Sequence, residues 1–111
     1  MYNYIMMAVF LIIILILHGF IHLFGFLKAF NLANFEELKM PISKLWGIVW
    51  LLAFLLFAIT AIFKIIDNSL WHQTTITAIV ISQLLLFKFW NDAKYGTIFN
   101  LIIVLILIYL N

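Results

Sequence analysis

The chain has 111 residues, of which 68% are hydrophobic and only 9% are charged. A soluble domain carries about 25% charged residues, so this composition favours a lipid bilayer as the solvent. The sequence contains no cysteine, which excludes disulfides and thiolate metal sites. All six basic residues are lysines and the formal net charge is +2, a balance that does not predict nucleic-acid binding.

Four apolar segments are long enough to be membrane helices, each of which needs about 20 mostly apolar residues. They cover residues 4–27, 45–66, 69–90 and 93–110. The connections near residues 67–68 and 91 are short, which makes neighbouring helices antiparallel. We therefore predict an all-α integral membrane protein: one domain over residues 1–111, with four transmembrane helices in an antiparallel up-down bundle.

Two boundaries in this scheme depend on capping residues. In the connection over residues 28–44, Asn34 followed by Glu37 resembles a capping box, which predicts a short interfacial helix over residues 35–40. The unbroken apolar run of the fourth segment covers only residues 101–110. It crosses a membrane only if the helix begins near Asp92, which we therefore predict to be its N-cap.

The lysines flank the connections unequally. Five flank the first and third connections, and Lys64 alone flanks the second. The positive-inside rule then puts the first and third connections in the cytoplasm and both termini outside.

The strongest polar residues within the apolar segments lie at similar depth, in the predicted cytoplasmic half. They are His18 and His22 in the first segment, Ser82 and Gln83 in the third, and Thr97 and Asn100 in the fourth. Polar side chains in membrane helices usually face the protein interior rather than lipid. This predicts an inward-facing polar layer, with Gly25 on the same face as the histidines allowing another backbone to approach closely.

Two interpretations of the polar layer remain open. Its side chains could join the helices by hydrogen bonds, since a neutral imidazole both donates and accepts. Alternatively, the layer could be a ligand, ion or proton site that opens to the cytoplasm. His18 and His22 share a face, but a metal site needs three or four ligands and we expect no carboxylate at that depth. We therefore predict no metal and no cofactor, and the absence of a nucleophile–base–orienter set predicts no enzymatic activity.

The turn WNDAKYGT is the second distinctive patch. Asp92 can act as a cap while the nearby lysines extend to the headgroups. Alternatively, five residues could contact an anionic headgroup or a cytoplasmic partner: Lys28, Lys44, Lys88, Asp92 and Lys94.

Four stretches, HGFIHLFGFLKAF, MPISKLWGIVWLL, ISQLLLFKFW and NDAKYGTIFNLI, together cover much of the chain. They resemble the membrane region of an uncharacterised bacterial inner-membrane family that is loosely similar to the small four-helix DoxX-type proteins. The matching patterns are H-G-x-x-H-L-x-G-F-x-K from His18, P-I-S-K from Pro41 and D-A-K-x-G-T-I-x-N from Asp92. The resemblance implies a four-helix fold in the bacterial inner membrane and brings no activity with it.

These observations favour a non-enzymatic accessory or interaction subunit. Its partners would be the lipid bilayer and another membrane protein or a second copy of the chain. The alternative is a small transporter or ligand-binding membrane protein that uses His18 and His22 with Gln83 and Asn100. Small multidrug transporters have a similar size, but they depend on a carboxylate in the first helix, and this first segment has none.

Overall fold

The computed structural model describes residues 2–111, and the regular secondary structure within this range is entirely helical. The all-α class is therefore confirmed. The helices are α1 (Tyr2–Ala29), α2 (Lys44–Ile65), α3 (Trp71–Lys88), α4 (Trp90–Ala93) and α5 (Gly96–Leu110). Each of the four longer helices begins and ends within about three residues of a predicted segment, which is the usual uncertainty of helix ends.

The helices lie side by side. Helix α1 packs against α2 and α5, and α3 packs against the same two neighbours. The molecule measures 45 × 22 × 19 Å, and its long dimension matches the roughly 42 Å expected for the 28 residues of α1 at 1.5 Å per residue.

Two described helices, Tyr2–Ala29 and Lys44–Ile65, are long and apolar enough to cross a membrane. The 15-residue α5 is apolar but shorter. Helix α3 begins with the sequence WHQTT and contains Ser82 and Gln83, so its composition is more polar than that of the other long helices. Length and composition are thus compatible with a membrane protein.

The apolar interior consists of two clusters. One is built around the buried side chains of Leu11, Leu15, Phe57 and Ile103. The other contains Trp50, Ala53, Leu85, Leu86 and Phe89. The indole ring of Trp50 lies directly over Gly25, where a Cβ atom would overlap Trp50 Cδ2. Gly25 therefore permits a close approach, but to the Trp50 side chain rather than to another backbone as predicted.

The connection between α1 and α2 is irregular, and the interfacial helix predicted over residues 35–40 is wrong. The segment contains a turn in which Leu38 N donates to Phe35 O. The carbonyls of Leu38 and Met40 accept from Lys28 Nζ instead of closing helical turns. Met40 N donates to Asp92 Oδ2 at 2.6 Å. We call residues 30–43 the strap, because contacts to α1 and α4 hold this segment at one end of the molecule.

The predicted N-cap role of Asp92 is also wrong. Asp92 lies inside the four-residue helix α4, and α5 begins at Gly96 after a break at Lys94 and Tyr95. The Asp92 carboxylate accepts a hydrogen bond from Met40 N in the strap instead of capping a helix.

Candidate functional site

A network of hydrogen bonds joins α1, α3 and α5. It contains all six residues predicted from the sequence to form the polar layer: His18, His22, Ser82, Gln83, Thr97 and Asn100. Helix α2 contributes aromatic packing to the layer: the Phe57 ring centroid lies 5.1 Å from each of the two imidazole centroids.

The hydrogen bonds of His22 define which of its nitrogens carries the proton. Its Nδ1 lies 2.8 Å from the carbonyl oxygen of His18. A carbonyl can only accept, so Nδ1–H is the donor. In the neutral ring Nε2 is then an acceptor, and it receives the Ser82 hydroxyl proton over a distance of 2.7 Å.

Asn100 is the centre of the network. Its Oδ1 accepts from His18 Nε2 at 2.8 Å, which makes His18 an Nε2–H imidazole. Its Nδ2 donates to Ser82 Oγ and to Gln83 Oε1, each at 3.0 Å. Gln83 Nε2 in turn donates to Thr97 Oγ1 at 3.0 Å. The amides and hydroxyls therefore satisfy one another without a ligand.

The centre of this network is buried. His22 and Ser82 are fully buried, and His18 is 1% exposed. The two imidazole rings meet edge to face with centroids 4.6 Å apart. A hydrogen bond between groups as buried as these is strong, and an unpaired polar group there is correspondingly costly.

A cavity of about 200 Å³ adjoins the histidine side of the network. Its wall is formed by residues of α1, α2, α3, α4, α5 and the strap: His18, Ile21, His22, Phe24, Gly25, Leu38, Trp50, Leu86, Asp92, Ala93, Tyr95, Gly96 and Phe99. Gln83 and Asn100, which the sequence grouped with the histidines, do not contribute to this wall. The network and the cavity thus share His18 and His22 only.

Two residues of the cavity wall each have a nitrogen that has no hydrogen-bond partner within residues 2–111. These nitrogens are His18 Nδ1 and Trp50 Nε1, and both are buried. Because the Nε2 of His18 carries the proton, its Nδ1 is a free acceptor, whereas an indole nitrogen is always a donor. One acceptor and one donor, on two residues that line the same cavity, are therefore unpaired.

Asp92 lies in the wall of this cavity together with both histidines. From the sequence we expected no carboxylate at the depth of the histidines and did not consider one that reaches the same cavity from the end of the molecule. The signal in the sequence was the spacing of Asp92, Gly96 and Asn100, which are four residues apart and share one face of a helical segment. Trp50 and Gly96 were also missing from the predicted site.

The lysines that we grouped with Asp92 have separate environments. Lys28 donates to the strap carbonyls. Lys88 Nζ lies 4.7 Å from the Trp46 ring centroid, and Lys94 Nζ lies 5.4 Å from that of Tyr95. Lys44 is the first residue of α2. Of the five grouped residues, Lys28 and Asp92 act on a common element, because both hold the strap at Met40.

Within the described part of the chain, no group of three or more His, Cys, Asp or Glu side chains is arranged to hold a metal ion. Comparison with family models, with curated proteins and with solved structures finds no match to this chain.

Proposed function

We propose that this chain is a multi-pass protein of the bacterial inner membrane with four spans and both termini outside. By length and composition α3 is not a candidate span, but the distribution of exposed and buried side chains around it supports one. Four apolar residues on its outer face, Ile76, Val80, Leu84 and Phe87, are 52–62% exposed. Thr75 and Ser82 on its inner face are fully buried. A helix that is apolar outside and polar inside is suited to a lipid environment.

The lysines support the proposed orientation. Lys64, the lysine beside the second connection, is only 7% exposed and donates to the Tyr4 hydroxyl at 3.0 Å. Its Nζ also lies 4.4 Å from the Trp71 ring centroid. The remaining lysines lie toward the opposite end, where positive charge marks the cytoplasmic side.

Within this membrane protein, we infer that the function is the non-enzymatic binding of a small lipophilic molecule. The observation that supports it is the cavity of about 200 Å³, whose wall combines the aromatic side chains of Phe24, Trp50 and Phe99 with the imidazoles of His18 and His22. An apolar cavity of about 150 Å³ is large enough for benzene, so this one suits a molecule with one ring and a few further atoms.

A second candidate is the accessory or interaction subunit. The closed network favours it, because Ser82, Gln83 and Asn100 satisfy each other as a purely structural layer would. This candidate predicts that the purified protein retains a membrane partner or a second copy. Chemical crosslinking in membranes, followed by light scattering of the purified complex, tests it. A monodisperse monomer that crosslinks to no other chain contradicts it.

The binding function is tested with 1,4-dimethylbenzene and the purified protein in detergent. We expect saturable changes in the NMR shift of the Gly96 amide, because Gly96 lies in the cavity wall. Ala93→Phe fills this cavity and should abolish the saturable change. Ala58→Phe is the matched control, because Ala58 lines a separate cavity of about 120 Å³ between α1 and α2.

Gly96→Ala is a second cavity variant, since its Cβ would lie 2.9 Å from the flexible end of Leu86. It should weaken binding if Ala93→Phe fails to fold. Shift changes that do not saturate and are equal in the native chain and both cavity variants would show partition into detergent alone, and the binding function would be wrong.

A further inference from the structure

The strap contributes Leu38 to the wall of the cavity. Leu38 and Phe35 are half-buried, whereas the exposed residues around them are all polar: Asn34, Glu36, Glu37 and Lys39. We call residues 34–39 the lid. It has a polar outer surface and an inner surface that carries these two apolar side chains. Movement of the lid would remove Leu38 from the wall and uncover the cavity at this end of the molecule.

The lid is not held by a ladder of backbone hydrogen bonds. Within residues 34–42 of the described chain, the one bond between backbone groups joins Leu38 N to Phe35 O at 3.2 Å, and both atoms belong to the lid. A helix or strand must break several such bonds in order to move, so a segment without them opens more easily. Side chains of the neighbouring elements therefore hold the lid in place.

Two side chains of α1 fasten the lid. Lys28 Nζ donates to the carbonyl oxygen of Leu38 and, at 2.5 Å, to that of Met40. The Phe24 ring stacks on the Phe35 ring, with centroids 4.7 Å apart and planes inclined by 25°. The bonds of Lys28 are only partly buried and Phe24 is 39% exposed, so solvent can replace these contacts when the lid moves.

Both ends of the strap are attached independently of these contacts. On the α1 side, Asn31 has a left-handed φ of 58° and Leu32 N donates to Leu27 O at 2.8 Å, an arrangement typical of a helix end. On the α2 side, Met40 packs against the second apolar cluster, and its N donates to Asp92 Oδ2 at 2.6 Å. A segment with fixed ends and a releasable middle can move as a hinged lid.

A route between α1 and α5 is the alternative entrance. Phe24 and Phe99, which line the cavity on these two helices, are 39% and 38% exposed. Passage there would push apart helices that are joined by the buried hydrogen bond between His18 and Asn100. Release of the lid breaks the bonds of Lys28 instead, which are only partly buried. A hydrogen bond is worth more where it is buried, so opening of the lid is the less costly route.

From these contacts we propose that residues 34–39 are a hinged lid, which the ligand passes on entering and leaving the cavity. In the closed state Leu38 completes the wall, and Lys28 and Phe24 hold the lid there. The lid controls the rates of binding and release rather than the affinity, because it closes again once the ligand is inside. This inference rests on the proposed binding function and adds how access to the same cavity is controlled.

Two variants release the lid without changing the cavity wall. Lys28→Met removes the bonds to the carbonyls, and Phe35→Ala removes the stacked ring. Neither residue lines the cavity. Lys94→Met and Phe87→Ala are the matched controls, because this lysine and this stacked phenylalanine lie outside both the lid and the wall. If one release variant does not fold, the other still provides the test.

A cysteine in the wall reports whether the lid opens. Ala93→Cys is introduced into the native chain and into all four variants, and its reaction with uncharged methyl methanethiosulfonate is followed by mass spectrometry. We expect the reaction to be about fivefold faster in each release variant and unchanged in the two controls. Ala58→Cys lies in the separate cavity between α1 and α2, so it corrects for partition of the reagent into detergent and should react equally throughout.

The same variants, without the cysteine, are then titrated with 1,4-dimethylbenzene. The NMR line shape of the Gly96 amide gives the association and dissociation rate constants, because Gly96 lies in the cavity wall. Both rate constants should increase about fivefold in the release variants, while Kd changes by less than about twofold. Parallel increases are expected of a lid, since loosening it lowers the barrier in both directions.

The outcomes separate the lid from the binding function. Saturable binding with unchanged rates in both release variants would overturn the lid and leave the binding function intact. Faster reaction of Ala93→Cys with unchanged ligand rates would also overturn it, because the ligand would then pass between α1 and α5. An increase of the dissociation rate alone would show that the strap determines affinity rather than access. Saturable binding in none of the chains would overturn both proposals.

Discussion

Asn100 Oδ1 lies 2.8 Å from His18 Nε2, and this buried hydrogen bond joins the first long helix to the last. The same amide donates to Ser82 and Gln83 on α3. The Asn100 side chain thus connects α5 to α1 and α3. Its removal would leave hydrogen-bonding groups on both α1 and α3 unpaired. Thr97 also belongs to the network but bonds only to Gln83 within it.

We therefore expect Asn100→Leu to lower the free energy of unfolding by about 2–3 kcal/mol, since it leaves buried donors and acceptors unpaired. Thr97→Val should cost less than about 1 kcal/mol, because one peripheral bond is lost. Unfolding in mixed micelles, followed by tryptophan fluorescence, measures both. Equal losses for the two variants would show that Asn100 has no central role.

The two histidines should be opposite neutral tautomers. His18 donates through Nε2 to an amide oxygen, and His22 donates through Nδ1 to a carbonyl oxygen. We expect ¹⁵N NMR at pH 7 to show His18 protonated at Nε2 alone and His22 protonated at Nδ1 alone. Ser82→Ala should shift the Nε2 signal of His22 strongly and that of His18 weakly, because Ser82 Oγ contacts the His22 ring.

A doubly protonated His22 would contradict this assignment. The Ser82 hydroxyl would then have to turn toward Asn100 Oδ1, which is 3.3 Å away, and accept from His22. The carboxylate of Asp92, in the same cavity wall, would be the nearby negative charge. Loss of the second proton in Asp92→Asn would identify it as the counter-charge.

The polar layer was predictable because polar residues are rare in these helices. His18, His22 and Asn100 stand in apolar sequence, and burial against other polar groups is the favourable arrangement for them in a membrane. Helical spacing alone then brings the two histidines to one face. The exact donors and acceptors were not predictable, because they depend on the rotation of three separate helices.

The strap and the cavity could not be predicted for a related reason. The bond between Met40 and Asp92 joins residues 52 positions apart, and local capping rules do not detect such contacts. Asn34 and Glu37 match a capping box, yet tertiary bonds of the strap carbonyls compete with the helix and prevail. A cavity depends on what the neighbouring side chains fail to fill, which periodicity does not report.

Lys28 should be required for the order of the strap. Its ammonium donates to the carbonyls of Leu38 and Met40, so Lys28→Met removes both bonds and keeps a side chain of similar length. We expect amide hydrogen exchange over residues 36–42 to become at least about fivefold faster. Lys94→Met is the control, because Lys94 lies over the Tyr95 ring and should leave this exchange unchanged. Equal protection in Lys28→Met would show that the strap is held by other contacts.

The last prediction concerns the orientation in the membrane. It is simple to test with introduced cysteines, because the sequence contains none. Single cysteines at Asn3 and Asn68 should react with a membrane-impermeant maleimide from outside, because the termini and the second connection are proposed to face outward. Cysteines at Asn34 and Asn91 should react only after the cytoplasmic side is opened, because lysines flank both positions. Lys28 and Lys39 lie within six residues of Asn34 in sequence, and Lys88 and Lys94 lie within six residues of Asn91. Asn3 and Asn68 should agree if α1 and α2 each cross the membrane, and Asn34 and Asn91 should agree if α2 and α3 each cross it. Labelling of Asn34 from outside would reverse the orientation, and labelling of Asn68 and Asn91 from the same side would show that α3 does not span.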